Sequence, residues 1–151
     1  MPRQFLAMEP GQWARRLHDL LDDCDGSHAA EQDSRLREGW CLLLRTPLGL
    51  PAWCEALPPE PELEAMIAAE AWESAALALL PPDAGYMLSR GGNGNAVASV
   101  VLPGQAEEAT SVGETPALAV LAALALALIG EARAVAPRRG ASTARAAARL
   151  N

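Results

Sequence analysis

From Pro116 to Ile129 the chain reads PALAVLAALALALI, without one charged or amide side chain. Wound as a helix, this run projects Leu118, Val120, Leu121, Leu124, Leu126, Leu128 and Ile129 in every direction. No polar face remains to meet water, so the helix must be covered on several sides by the rest of the chain. Thr115 suits the N-cap, Pro116 the first helical position, and Gly130 lies near the end. The run is shorter than the roughly 20 residues of a membrane span, and it reads as the centre of a soluble domain.

What must do the covering is read from the rest of the sequence. A first helix is expected from Pro10 to Gly26, its apolar face made by Trp13, Leu17, Leu20, Leu21 and Cys24. Ser27 to Glu38 is polar and reads as a loop or a short exposed helical turn, and Trp40 to Leu44 as a short strand or one buried turn. Pro47, Pro51, Pro58, Pro59 and Pro61 make the next stretch an extended connector, with Trp53 and Leu57 pinned on the surface. A helix over 61–80 follows, opened by Pro61 and stopped by Pro81-Pro82. It carries two apolar faces, one with Leu63, Met66, Ile67 and Leu77, the other with Ala65, Trp72, Ala76 and Leu79, which suggests a helix sandwiched between layers or shared with another subunit. Gly85 to Arg90 and Ala96 to Leu102 are β-prone runs around Gly91-Gly92-Asn93-Gly94-Asn95, the signature of a hairpin. Thr110 to Val112 adds a third, shorter strand. The expected fold is α+β: a two- or three-stranded antiparallel sheet covered by the 61–80 and 115–132 helices, with the N-terminal helix packed beside them. The organisation divides into 1–60 (helix and Pro-rich connector), an α-β-β-α core at 61–132, and an Arg-rich, disordered tail at 133–151 whose alanines allow helix over Thr143–Leu150.

At 151 residues the chain has the size of one domain. It contains no lysine, and Arg133, Arg138, Arg139, Arg145 and Arg149 all lie beyond the last acid, Glu131. Ahead of them, seven arginines face nineteen acids, a balance of −12. Such a body repels nucleic acid and anionic membrane surfaces. Cys24, Cys41 and Cys54 are an odd number without paired spacing, which fits a reducing cytoplasm.

No catalytic constellation stands out. His18, Cys24 and His28 are too loosely spaced for a zinc site and lack a fourth ligand. Asp22, Asp23 and Asp25 before Gly26 lack the alternation and final glutamate of a calcium loop. Cys41 and Cys54 have no neighbouring histidine, and the serines no nucleophile context. Neither metal nor cofactor is expected. Two features suit binding: the acidic set Asp19, Asp22, Asp23 and Asp25, and the loop with Arg90, Gly92 and Asn93. The loop reads as a hairpin turn or as a cradle of amides for a phosphate, although it leads into a strand rather than a helix N-terminus.

The stretch AWESAALALLP at 71–81, then Tyr86-Met87-Leu88, then ETPALAVLAAL at 114–124, resembles the phage ABA sandwich domain family of small phage and prophage proteins. The resemblance covers about 62–130. It implies a phage-related origin and helix–sheet–helix layering, and it carries over no activity and no site residues. The expectation is a non-enzymatic accessory protein that inhibits or modulates a host or phage protein through its acidic surface, most simply as a homodimer. The alternatives are sequestration of a small nucleotide signal, and an assembly role in a phage-like particle.

Overall fold

The computed structural model describes residues 6–51 and 56–148, with side chains to Val135. Trp53 and Cys54, and the arginines expected to charge the tail from 138 onward, lie outside the described residues or side chains. The fold is α+β: among the described residues, α1 (Pro10–Gly26), α2 (Gln32–Leu44), α3 (Glu60–Ala68), α4 (Trp72–Ala78), β1 (Gly85–Arg90), β2 (Ala96–Val101), β3 (Ala109–Gly113) and α5 (Pro116–Ala148) follow in that order. The strands form one antiparallel sheet in the order β1-β2-β3.

The apolar run forms the centre of the molecule. Leu118, Val120, Leu121, Leu128 and Ile129 are fully buried, and only Leu126 of the large side chains reaches the surface. Thr115 caps the helix, its Oγ1 accepting from the Leu118 N–H at 3.3 Å. α1, α2, α4 and the inner face of the sheet all pack against α5. By length and composition Pro116–Val135 would span a membrane, but 67% of it is buried inside the fold. The backbone stays helical past Gly130 to Ala148, beyond the expected end near that glycine. Gly130 is not in a left-handed conformation, and the alanine-rich sequence after it favours helix.

α1 forms where its periodicity places it. Glu9 caps it by accepting the Gln12 N–H at 3.0 Å, and Pro10, Trp13, Leu17, Leu20 and Cys24 are buried along one stripe. The Trp13 indole N–H donates to the Leu42 carbonyl at 2.9 Å, tying α1 to α2.

Three expectations are corrected. The short exposed helical turn allowed after Ser27 is the 3-10 turn Ala29–Glu31, but from Gln32 to Leu44 the chain is the continuous helix α2 rather than loop, strand or a single turn, because Gln32, Leu36, Gly39 and Leu43 recur at helical spacing and are buried. The helix expected over 61–80 is two helices. It breaks in a Schellman turn: Ala71 N–H donates to Met66 O at 2.9 Å, Glu70 N–H to Ile67 O at 3.0 Å, and Glu70 takes φ 57°. Each of the two expected apolar faces is therefore divided by the break, Leu63, Met66 and Ile67 lying in α3 and Leu77 in α4, Ala65 in α3 and Trp72 and Ala76 in α4. Finally, the sheet is covered mainly by α5, with α1 touching β3; α4 packs on α5 and α3 packs on α4 rather than on the sheet, so one face of the sheet stays open.

The ladder shows how that layering arises. In β2, Ala96, Ala98 and Val100 are buried toward α5 while Val97, Ser99 and Val101 are half-buried on the other side. β3 presses closest to the helix. A Cβ on Gly113 would lie 2.5 Å from the Ala119 nitrogen and 2.9 Å from the Leu118 carbonyl carbon, so only glycine fits.

Candidate functional site

An open cleft of about 570 Å³ lies between α1 and α2. Leu20, Leu42 and Met8 contribute its apolar surface, Asp19, Asp22 and Asp23 come from α1, and Glu38 and Cys41 come from α2. Arg16 and Arg45 complete the lining. Spacing explains the arrangement: Asp19, Asp22 and Asp23 lie three and four positions apart on the helix face next to the buried Leu17–Leu20–Cys24 stripe. Glu38 comes from α2 and shares the Arg35 guanidinium with Asp23.

Arg35 ties Asp23 of α1 to Glu38 of α2. Its Nη1 donates to Asp23 Oδ2 at 2.8 Å and to Glu38 Oε2 at 3.0 Å, from a guanidinium whose Nε is buried without an acceptor. Burial raises the Glu38 carboxyl above its ordinary range, with Arg35 pulling the other way and Asp23 adding to the rise. Among the described residues neither Asp19 nor Asp22 forms an ion pair, and neither do Arg16 of α1 and Arg45 at the end of α2. The cleft thus offers two unneutralised carboxylates above an apolar floor, with two unpaired guanidinium groups at its margin.

A second ionic tie stiffens α2 away from the cleft. Arg37 makes a two-pronged contact with Glu64, Nε to Oε1 at 2.8 Å and Nη2 to Oε2 at 3.0 Å, and reaches Asp33 at 3.0 Å. These bonds hold the Glu64 carboxyl below its ordinary range.

The cysteines of the region are poor nucleophiles. Burial pushes the Cys24 thiol up to about 12. Burial, aided by Glu60, also raises the exposed Cys41 thiol. Reactive thiols require the opposite shift. His18 lies 3.4 Å from Arg133, and His28 pairs with Glu114 at 3.1 Å, so Cys24 and the two histidines point to different surroundings. Among the described residues no group of three or more His, Cys, Asp and Glu is arranged to hold a metal ion.

The structure brings together three of the seven residues singled out by sequence. Asp19, Asp22 and Asp23 share the cleft, whereas Asp25 faces a different, shallow groove with His28, Asn95 and Glu114. Arg90, Gly92 and Asn93 lie at the tip of the β1–β2 hairpin. There the loop is a plain turn: Gly91 N–H donates to Asn95 O at 2.7 Å, Gly94 N–H to Gly91 O at 3.0 Å, and Asn93 Oδ1 accepts from Asn95 N–H at 3.1 Å. Three of the amides that a phosphate would need are used within the turn. Glu38, Arg16 and Arg45 were missed as site residues. For Glu38 the signal was present, since the 32, 36, 39, 43 spacing of α2 puts position 38 beside the α1 contact. Comparison of the chain with protein-family models, with curated proteins and with solved structures returned no match.

Proposed function

We propose that this chain is a non-catalytic accessory protein of phage or mobile-element origin that inhibits or modulates a partner protein by holding a basic segment of it in the α1–α2 cleft. The observation that carries the reading is the convergence of Asp19, Asp22, Asp23 and Glu38 on one open cleft with an apolar floor. An arginine or lysine stem lies along Leu20 and Leu42 while its charged head meets Asp19 and Asp22, which have no competing partner. The net charge of −7 steers a basic surface toward the protein at long range. Arg16 and Arg45 at the margin restrict the choice by repelling a uniformly basic segment and favouring one with an acid next to its cation. The likeness to phage ABA sandwich proteins supports the origin and adds nothing about the target.

The test uses an arginine-containing peptide as a defined probe, titrated by calorimetry against the wild type and an Asp19→Asn/Asp22→Asn variant. Both changed residues are exposed and outside the Arg35 network, so the fold is kept. Binding that weakens about tenfold between low and physiological salt, and is lost in the variant, supports the proposal. Equal binding by the variant overturns it.

A further inference from the structure

The two rims of the sheet differ, and β1 is the open one. No helix or strand flanks its outer edge among the described residues, and it touches α5 only slightly. Five of its six residues are exposed, with Tyr86 at 52% and Met87 at 71%. The usual protections of an edge are missing: Gly85–Arg90 has no proline, no lysine and no bulge, and its one charge is at the end.

The direction of its backbone groups follows from the hairpin. Gly91 N–H points to β2, because it donates to Asn95 O. The pairs Ser89–Val97, Met87–Ser99 and Gly85–Val101 continue that alternation, so the N–H and C=O groups of Tyr86, Leu88 and Arg90 face outward, unused.

We propose that β1 pairs antiparallel with β1 of a second copy, making one continuous six-stranded sheet with Met87 on the two-fold axis. A two-fold normal to the sheet keeps faces together, so a residue must pair with another on its own face. Centring on Met87 does this and sets Tyr86 opposite Leu88 of the other copy, twice, on the α5 side where each side chain is only partly covered. Those two pairs consist of the residues whose N–H and C=O groups point outward, so their ladder bonds form without disturbing β2. The same register brings Arg90 of one copy alongside Ala84 and its neighbour Asp83 of the other. Neither Arg90 nor Asp83 has an ion-pair partner within the described chain. This self-complementarity, apolar at the centre and opposite in charge at the two ends, is what identifies the occupant as a second copy rather than an unrelated strand.

The contact is about 20 Å long and smaller than a standard interface. Association is therefore concentration-dependent, with half-dimerisation expected at roughly 100 µM.

Sedimentation equilibrium on the full chain, up to about 500 µM, tests this. The wild type shifts from monomer to dimer. Tyr86→Pro removes an outward N–H that β2 does not use, and stays monomeric with an unchanged circular dichroism spectrum. Asp83→Arg and Arg90→Asp each weaken the dimer about tenfold, and the double variant regains it. Met87→Cys gives a disulfide-linked dimer on mild oxidation, because its Cα atoms would face each other at about 4.5 Å; Val112→Cys, on the far edge, does not cross-link beyond the wild-type background. A wild-type monomer throughout overturns the proposal. So does a dimer that survives the charge reversals or fails to return in the double variant; that series decides the matter if Tyr86→Pro misfolds.

Discussion

β1 and β3 flank the same central strand with the same ladder geometry, yet one is locked and the other is open. β3 lies against α5 so closely that Gly113 touches the helix backbone, and α1 reaches it as well. β1 overhangs the helix and exposes most of its residues. Local propensity does not explain the contrast, since Tyr86, Met87 and Leu88 are stronger strand formers than Ala109 and Ser111. Position relative to α5 does. Burial sets the rigid side, and what burial leaves over sets the side available to a partner.

The comparison can be broken by mutation. The largest effect is expected for Gly113→Ala, where the added methyl meets backbone that cannot step aside; a loss of about 3 kcal/mol by urea unfolding is predicted. Gly85→Ala on the open strand finds its nearest atom, Val101 Cβ, at 3.8 Å and should change stability by less than about 0.5 kcal/mol. Equal losses at the two glycines would end the distinction.

A smaller contrast is available within β2. Val100 is fully buried toward α5 and Val101 half-buried on the open face. Val100→Ala is expected to cost about 2 kcal/mol, and Val101→Ala less than half as much. In the opposite direction, Glu70→Gly relieves a left-handed residue at the α3–α4 turn and should stabilise by roughly 0.5–1 kcal/mol, visible as a raised Tm.

The smallest effect concerns pH. Glu114 follows β3 and joins the α1–α2 turn by accepting from the Ala29 N–H and pairing with His28. Its hydrogen bond and charge raise His28 above its ordinary value, and the same bonds lower Glu114. The histidine contribution is fully present below the ordinary histidine value near 6.5 and is lost as pH rises through its raised folded value. The carboxylate contribution is present above the ordinary 4.5 and lost as pH falls through its lowered value. The tie is thus strongest between those two limits. Because both groups are open to solvent the change is slight, and a Tm difference between wild type and Glu114→Gln that narrows from pH 6 to pH 8 is the expected record.

How much of this was legible in the sequence depends on whether a signal was local. Capping and periodicity gave α1 and the start of α5, and the Gly-Gly-Asn-Gly-Asn turn gave the hairpin. α2 was lost because its charged residues mask a stripe of only four buried positions, one of them Gly39. The break at Glu70 was hidden because a glutamate in a left-handed conformation carries no glycine signature. In the cleft, Asp19, Asp22 and Asp23 were visible as a helical face. The α2 spacing also put Glu38 beside the α1 contact, and Arg16 lies three positions before Asp19 on α1 itself, but Arg45 reaches the cleft only through the packing of α2 on α1, a long-range fact that no spacing rule encodes.

The central position of α5 has a consequence for how the molecule is made. Among the described elements α5 is translated last, yet α1, α2, α4 and the sheet all bury their apolar faces against it. At ordinary elongation speeds the earlier elements wait on the order of ten seconds for the partner that completes them. During that interval the Trp13–Leu17–Leu20 stripe has no cover, and a nascent chain is a client for holding factors until its final helix emerges. Slowing translation ahead of Pro116 would therefore lower the yield of native protein while leaving its stability untouched.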